Sequence, residues 1–362
     1  MKQITRRLFL AVAASVALSS ALPVLADDGK PTEIRLGVPG AGVGGKPKIG
    51  SSFVASAALR GVLEDEFRKD GIKVIWIYFP GAGPALNQAL ANGKVDFGAG
   101  HGDLPSIIGR SSGLKTKILL TAGRFGPSYL TVPSGSDAKT LADLKGKTLS
   151  TFKGTALQLQ LGRFIRKFGF TEKDFRIINQ DTYSAQTSLA TGDIDGALTS
   201  PWTLEARGVA KRIVEIRDDK FLVGPLSFWV TEDFEKKYPS VVQRVVNTLV
   251  KQAVWSSDEA NRDTQYKLWA QSGTPYLDYK KDFESYPLKD RVSPLQDDFY
   301  VTALKRAVKE SKDYGLIRRE VTIDDWLEPK YLNIALKEQH LENFWPKFDA
   351  NGNKIPGTGT GK

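Results

Sequence analysis

Val74-Ile75-Trp76-Ile77-Tyr78-Phe79-Pro80-Gly81, followed by Ala85-Leu86-Asn87-Gln88-Ala89-Leu90-Ala91-Asn92-Gly93-Lys94-Val95-Asp96-Phe97-Gly98, decides the fold. The run from Val74 to Phe79 is apolar throughout and rich in β-branched and aromatic residues, so it predicts a buried strand. Pro80-Gly81-Ala82-Gly83 breaks it with a turn, and Pro84 to Asn92 predicts a short helix. Val95-Asp96-Phe97 then predicts a second buried strand. Two buried strands joined through a helix form the unit of an α/β protein.

Outward from this unit the same grammar repeats. Upstream, Ile34 to Val38 predicts a strand, Gly40 to Gly50 a Gly-rich loop, and Phe53 to Lys69 a helix with Phe53, Ala57, Leu59, Val62, Leu63 and Phe67 on one face. Downstream, Lys117 to Ala122 predicts another strand. A second series begins at Leu141-Ala142-Asp143-Leu144-Lys145-Gly146-Lys147. It runs through helix 156–168, strand 176–179, helix 184–191 and strand 194–198. After an extended stretch from Phe221 to Val230 the chain turns helical, from Glu232 to about Ser257 and again from Asp297 to Asp313, and its tail from Asn351 predicts a frayed end. Two α/β lobes follow. An outer lobe comprises residues 27–122 and 223–362, and an inserted lobe comprises residues 123–222.

Residues 1 to 26 have the three parts of an export signal: basic Lys2, Arg6 and Arg7, an apolar run from Leu8 to Leu18, and a small-residue cleavage site ending at Ala26. Thr5-Arg6-Arg7-Leu8-Phe9-Leu10 resembles the twin-arginine export motif. The apolar run is too short to span a bilayer. A periplasmic, monomeric protein is therefore expected. The 362 residues carry a formal charge of +10, which falls to +7 without the signal. Lys and Arg are dispersed among acidic residues, so no nucleic-acid stripe is expected.

There is no Cys, and His occurs only as His101 and His340. Thiol nucleophiles, disulfides and thiolate metal sites are therefore excluded, a multi-His centre would have to run on two residues far apart in the sequence, and neither a metal nor a cofactor is expected. Gly40-Ala41-Gly42-Val43-Gly44-Gly45-Lys46-Pro47 satisfies G-x-G-x-x-G and comes close to a phosphate-binding loop. Pro47, however, stands where a magnesium-binding Ser or Thr is needed, and no acidic residue closes a strand about 20 positions on, because that region reads as helix. The loop is read either as a flexible turn or as a ligand-contacting one in which Gly40 and Gly42 let backbone approach an anion.

The 74–98 unit, with the turn Gly100-His101-Gly102-Asp103-Leu104-Pro105, resembles the periplasmic substrate-binding proteins of ABC importers for aliphatic sulfonates, taurine and nitrate. Thr140 to Lys147 with Lys153-Gly154-Thr155, Ala190 to Ala197, and Phe228 to Phe234 with Tyr238 to Val242 follow in that family's order, over roughly residues 33 to 255. The resemblance implies a type II Venus flytrap with the ligand cleft between its lobes, a small organic anion as ligand, first of all an aliphatic sulfonate or related organosulfur compound, no catalysis, and an ABC permease with its ATPase as partner. An uncharged or cationic metabolite (a thiamin precursor, a riboflavin-like molecule), nitrate or an aromatic acid is the alternative ligand. A thiamin-pathway enzyme of this fold needs a Cys-rich motif, which this chain lacks.

Ligands of open α/β sheets lie off the carboxyl ends of the strands. The candidate contacts are accordingly Gly40, Gly42, Gly81, Gly102, Asp103, Arg124, Gly154, Thr155, Ser200 and Trp202. Thr155 can cap the following helix while Gly154 permits close approach. Arg124, at the first crossing between lobes, is either a two-pronged clamp on the anion or a structural arginine at the hinge. Asp103 replaces the family's usual Glu, and either meets a ligand amine or caps the next helix. Thr199-Ser200-Pro201-Trp202 departs from the family's Trp-Asp-Pro unit, so Trp202 is either a ligand contact or a packing residue.

Overall fold

The computed structural model describes residues 29–40, 42–43, 46 and 51–361. The export segment (residues 1 to 26) and much of the Gly-rich loop lie outside the described residues. The strands in chain order are β1 (Glu33–Val38), β2 (Lys73–Tyr78), β3 (Phe97–His101), β4 (Thr116–Gly123) and β5 (Ser128–Pro133). Then come β6 (Thr148–Thr151), β7 (Arg176–Asn179), β8 (Gly196–Leu198), β9 (Ala210–Ile216) and β10 (Leu226–Thr231). They form two five-stranded sheets of the same plan, ordered β2-β1-β3-β10-β4 and β7-β6-β8-β5-β9. In each, three strands are parallel (β2, β1, β3; β7, β6, β8) and the other two pair antiparallel.

The first seven helices are α1 (Phe53–Arg60), α2 (Val62–Phe67), α3 (Ala82–Ala91), α4 (Asp103–Ser111), α5 (Ala156–Lys167), α6 (Thr182–Thr191) and α7 (Trp202–Ala206). Those that follow are α8 (Glu232–Lys237), α9 (Pro239–Ser257), α10 (Arg262–Ala270), α11 (Tyr276–Phe283), α12 (Leu288–Arg291), α13 (Asp298–Asp313) and α14 (Lys330–Glu338). Parallel strands need helical crossovers on both faces, so the first sheet is covered by α1, α9 and α14 on one side and by α3, α4 and α13 on the other. Two core clusters result, one around Leu36, Phe97, Phe228 and Trp269, the other around Leu104, Trp229, Tyr300 and Trp326. The second sheet has a smaller core around Leu130, Leu149, Phe164 and Ile165.

Three expectations are corrected by particular residues. The helix expected from Phe53 to Lys69 breaks at Gly61, whose φ of 66° caps α1 in the left-handed conformation. The helix expected from Glu232 breaks at Pro239, which has no N–H to continue α8 but fits the first turn of α9. The tail is docked, not frayed: Ile355 N–H donates to the Lys347 carbonyl, and Gly361 N–H to that of Asn343. Among the described residues no helix is long and apolar enough to cross a membrane.

The lobes touch at the floor of the space between them. A Cβ built on Gly102, which precedes α4, would stand 2.8 Å from the Ala156 methyl at the start of α5. Gly154, at a φ of 76°, lies beside Pro84 of α3, and a Cβ there would fall 3.1 Å from the proline ring. Elements of the C-terminal segment bind the second sheet's lobe as well. Asp282 of α11 accepts from Tyr129 Oη at 3.0 Å and Trp202 Nε1 at 2.6 Å, and Asp278 accepts from Thr203.

Candidate functional site

A cavity of about 590 Å³ opens between the lobes. Its walls come from the carboxyl ends of parallel strands in both sheets: Pro39 and Gly40 after β1, Pro80 after β2, Gly102 after β3, Phe152 after β6, and Asp181 after β7. This is where an open parallel sheet leaves its ligand crevice, because the crossover helices start there. Four helices begin at the cavity. The N-caps of α3 and α4 are Gly81 and Gly102, neither of which supplies a side-chain cap. Those of α5 and α6 are Thr155, accepting from Leu157 N–H, and Asp181, accepting from Tyr183 and Ser184 N–H. Two uncapped helix starts on one lobe thus face two capped ones on the other.

No Lys or Arg side chain is among the described residues that line the cavity. An anion placed here meets the positive ends of helix dipoles and main-chain N–H groups instead of a counter-ion. Asp181 is the one carboxylate among the described residues of the wall. Its pKa is lowered chiefly by the bond from the Ser184 hydroxyl, with the main-chain N–H groups adding to it. Much of the remaining wall is apolar: Val38, Pro39, Phe152, Leu157 and Leu226.

Of the candidate contacts, Gly40, Gly42, Gly102 and Thr155 line the cavity. Gly81 stands between two lining residues, Pro80 and Ala82, and Gly154 directly precedes Thr155. The other candidates face elsewhere. Arg124 does not line the cavity. Its guanidinium is buried: Nη1 donates to both carboxylate oxygens of Asp297 (2.9 and 2.7 Å), Nε donates to the Asp290 carbonyl, and the group lies beside the Phe125 and Phe348 rings. A guanidinium that is already neutralised and out of water has little to offer a ligand.

Asp103 is likewise withdrawn. It is fully buried and accepts from Arg163 at 2.8 Å, while Arg163 also donates to Glu310 at 2.7 Å. Burial works against the Arg163 charge, yet the two carboxylates outweigh it and hold the guanidinium above its ordinary pKa. Trp202 packs edge-on against Tyr129 under the Arg212 guanidinium and donates to Asp282, so it serves the lobe junction. Ser200 does not line the cavity. His101 lies behind Gly83 with its Nδ1 accepting from Trp229 Nε1, and burial lowers its pKa to about 3, so it is neutral.

Sequence reasoning missed Asp181, Thr182 and Tyr183, together with Phe152, Leu157 and Leu226. Asp181 carried a readable signal that also placed Thr182 and Tyr183: an Asp two residues past strand 176–179 and directly before a helix is an N-cap at a strand's carboxyl end. The apolar three had none, since nothing in a sequence separates a Leu facing a cavity from a Leu facing the core.

A family model described as NMT1/THI5 like matches residues 66–256. The periplasmic sulfonate-binding protein SsuA from Methylobacillus flagellatus KT is 30% identical, with a TM-score of 0.76 over 88% of this chain and 97% of its own. The alkanesulfonate-binding protein SsuA from Xanthomonas axonopodis pv. citri, solved bound to MOPS, is 25% identical, with a TM-score of 0.67 over 83% of this chain and 99% of its own. A 2'-hydroxybiphenyl-2-sulfinate desulfinase of Rhodococcus erythropolis is 28% identical over 155 residues, which are 41% of this chain and 40% of the enzyme. With two lobes of one sheet plan and a crevice at the strands' carboxyl ends, the chain belongs to the NMT1/THI5-like family.

Proposed function

We propose that this protein is the solute-binding component of an ABC importer, and that it captures a sulfonate-type organic anion between its lobes in the periplasm. One observation carries the reading: four helix starts converge on a cavity whose described lining has no cationic side chain. A sulfonate is a weakly basic monoanion with three acceptor oxygens, suited to several N–H donors at once. The sulfonate-binding relatives support the same class. Capture without turnover is supported by the absence of Cys and by the neutral, inward-facing His101. The membrane permease and its ATPase are the partners, and the working form is a monomer delivered by a cleaved signal of residues 1 to 26.

Isothermal calorimetry of the mature chain against alkyl and aryl sulfonates, sulfate esters, taurine and nitrate tests this. Saturable binding of sulfonates is expected, and failure of the whole panel rejects the substrate class. Amino-terminal sequencing of protein recovered from the periplasm is expected to begin at Asp27.

A further inference from the structure

We propose that the protein carries a second anion site, outside the cleft, that takes a small tetrahedral oxyanion such as phosphate or sulfate between α5 and α13. The proposal makes no assumption about what the cleft holds.

A separate pocket of about 250 Å³ lies there. It is lined by Arg163, Arg166 and Lys167 of α5, by Arg306 of α13, and by Asp219 and Leu222 between β9 and β10. Four of these six side chains are cations, and none of the six lines the cleft. At about 30 Å³ per water molecule the pocket has room for roughly eight waters, enough for a tetrahedral oxyanion with part of its hydration shell. Leu222 is the one apolar residue of the described lining, so the wall offers little to an organic body.

The carboxylates nearby are already shared out. Glu310 serves three guanidiniums, with Arg163 Nε at 2.7 Å, Arg306 Nε at 3.0 Å and Arg166 Nη2 at 3.1 Å. Asp219 accepts from Lys167 Nζ at 2.9 Å and from the Phe221 N–H. Arg163 Nη2 donates to Asp103 at 2.8 Å. Its Nη1, by contrast, is buried with no protein acceptor, on a side chain only 4% exposed. A buried donor on a charged group needs an acceptor, and an oxyanion in this pocket would supply one.

The rim is held ready for such a ligand. Arg166 lies over the Tyr314 ring at 4.8 Å, and Arg306 over the Phe221 ring at 5.3 Å. Guanidiniums fixed in this way present several N–H donors to phosphate or sulfate oxygens and lose less freedom on binding.

Thermal unfolding of the mature chain in sodium phosphate and in sodium sulfate, with sodium chloride balancing ionic strength, tests this. A rise in Tm that saturates at millimolar oxyanion is expected, distinct from the unsaturating gain that excluded salts give. The double variant Arg166→Gln/Arg306→Gln is expected to weaken both affinities about tenfold, and Lys167→Gln about threefold. All three side chains are more than a third exposed, and circular dichroism checks that each variant is folded. A Tm that never saturates in the native chain overturns the inference. Affinities unchanged in both folded variants overturn it as well, because the anion then binds elsewhere. Neither result bears on what the cleft captures.

Discussion

The cleft and the junction behind it are made of opposite materials. The cleft presents glycines, apolar side chains and helix starts, and its described lining holds no guanidinium. A few residues away the junction is dense with buried arginines. Arg163 is gripped by Asp103 and Glu310, Arg124 by Asp297, and Arg291 lies over the Phe283 ring at 3.5 Å with its Nε donating to the Phe125 carbonyl. Positive charge is thus used to join the lobes, while the cleft presents helix starts and apolar side chains. Side chains that hold a hinge need strong partners, whereas a group that must release its ligand is better left without a full counter-charge.

The division can be broken most forcefully at Arg163. Arg163→Met leaves Asp103 and Glu310 buried without their shared partner, and a loss of about 3–5 kcal/mol in urea unfolding is expected. Arg124→Met sharpens the contrast. It should cost about 3 kcal/mol, because Asp297 loses its buried partner, yet leave sulfonate affinity by calorimetry within about twofold. A collapse of affinity in a folded Arg124→Met protein would put charge back into the cleft.

Thr155→Ala acts on the other side of the divide. Loss of the α5 cap is expected to cost about 1 kcal/mol in a thermal melt and to weaken sulfonate binding, since Thr155 lines the cavity. The smallest effect is expected at Asp282. Burial raises its pKa, opposed by the bonds from Trp202 and Tyr129. A carboxyl with a raised folded-state pKa contributes stability that is fully present below its unfolded value and lost as pH rises through the folded one. Asp282→Asn keeps an acceptor for both donors and removes the titration. Urea midpoints of the two proteins should therefore diverge in the variant's favour between acidic and neutral pH.

Most strands could be foreseen in place, though not their order in the sheets, because they are written in local pattern: Val74 to Phe79 and Ile34 to Val38 are contiguous apolar runs, and turns carry Gly and Pro; β5 and β9 carried no such run and were not expected. The breaks at Gly61 and Pro239 were written there too, but were outweighed by long amphipathic periodicity on either side. The glycine half of the site, Gly40, Gly42 and Gly102, was legible because glycine at a strand's end signals close approach. The charged half was not. Whether Arg124 meets a ligand or Asp297 depends on a residue 173 positions away, brought near only by the return of the C-terminal segment. The two readings of Trp202 could not be separated for the same reason, because its partner Asp282 belongs to a helix that no short-range signal places beside it.

The contact of Gly102 with Ala156 has a thermodynamic consequence. A glycine facing an alanine covers very little area, so at the cleft floor the lobes adhere weakly by themselves. The solute is then the missing middle of the interface. It can shift the protein from open to shut only by as much as it prefers the shut form. A transporter that reads shape would thereby be reading occupancy, and a solute too small to span both walls would be held yet scarcely announced.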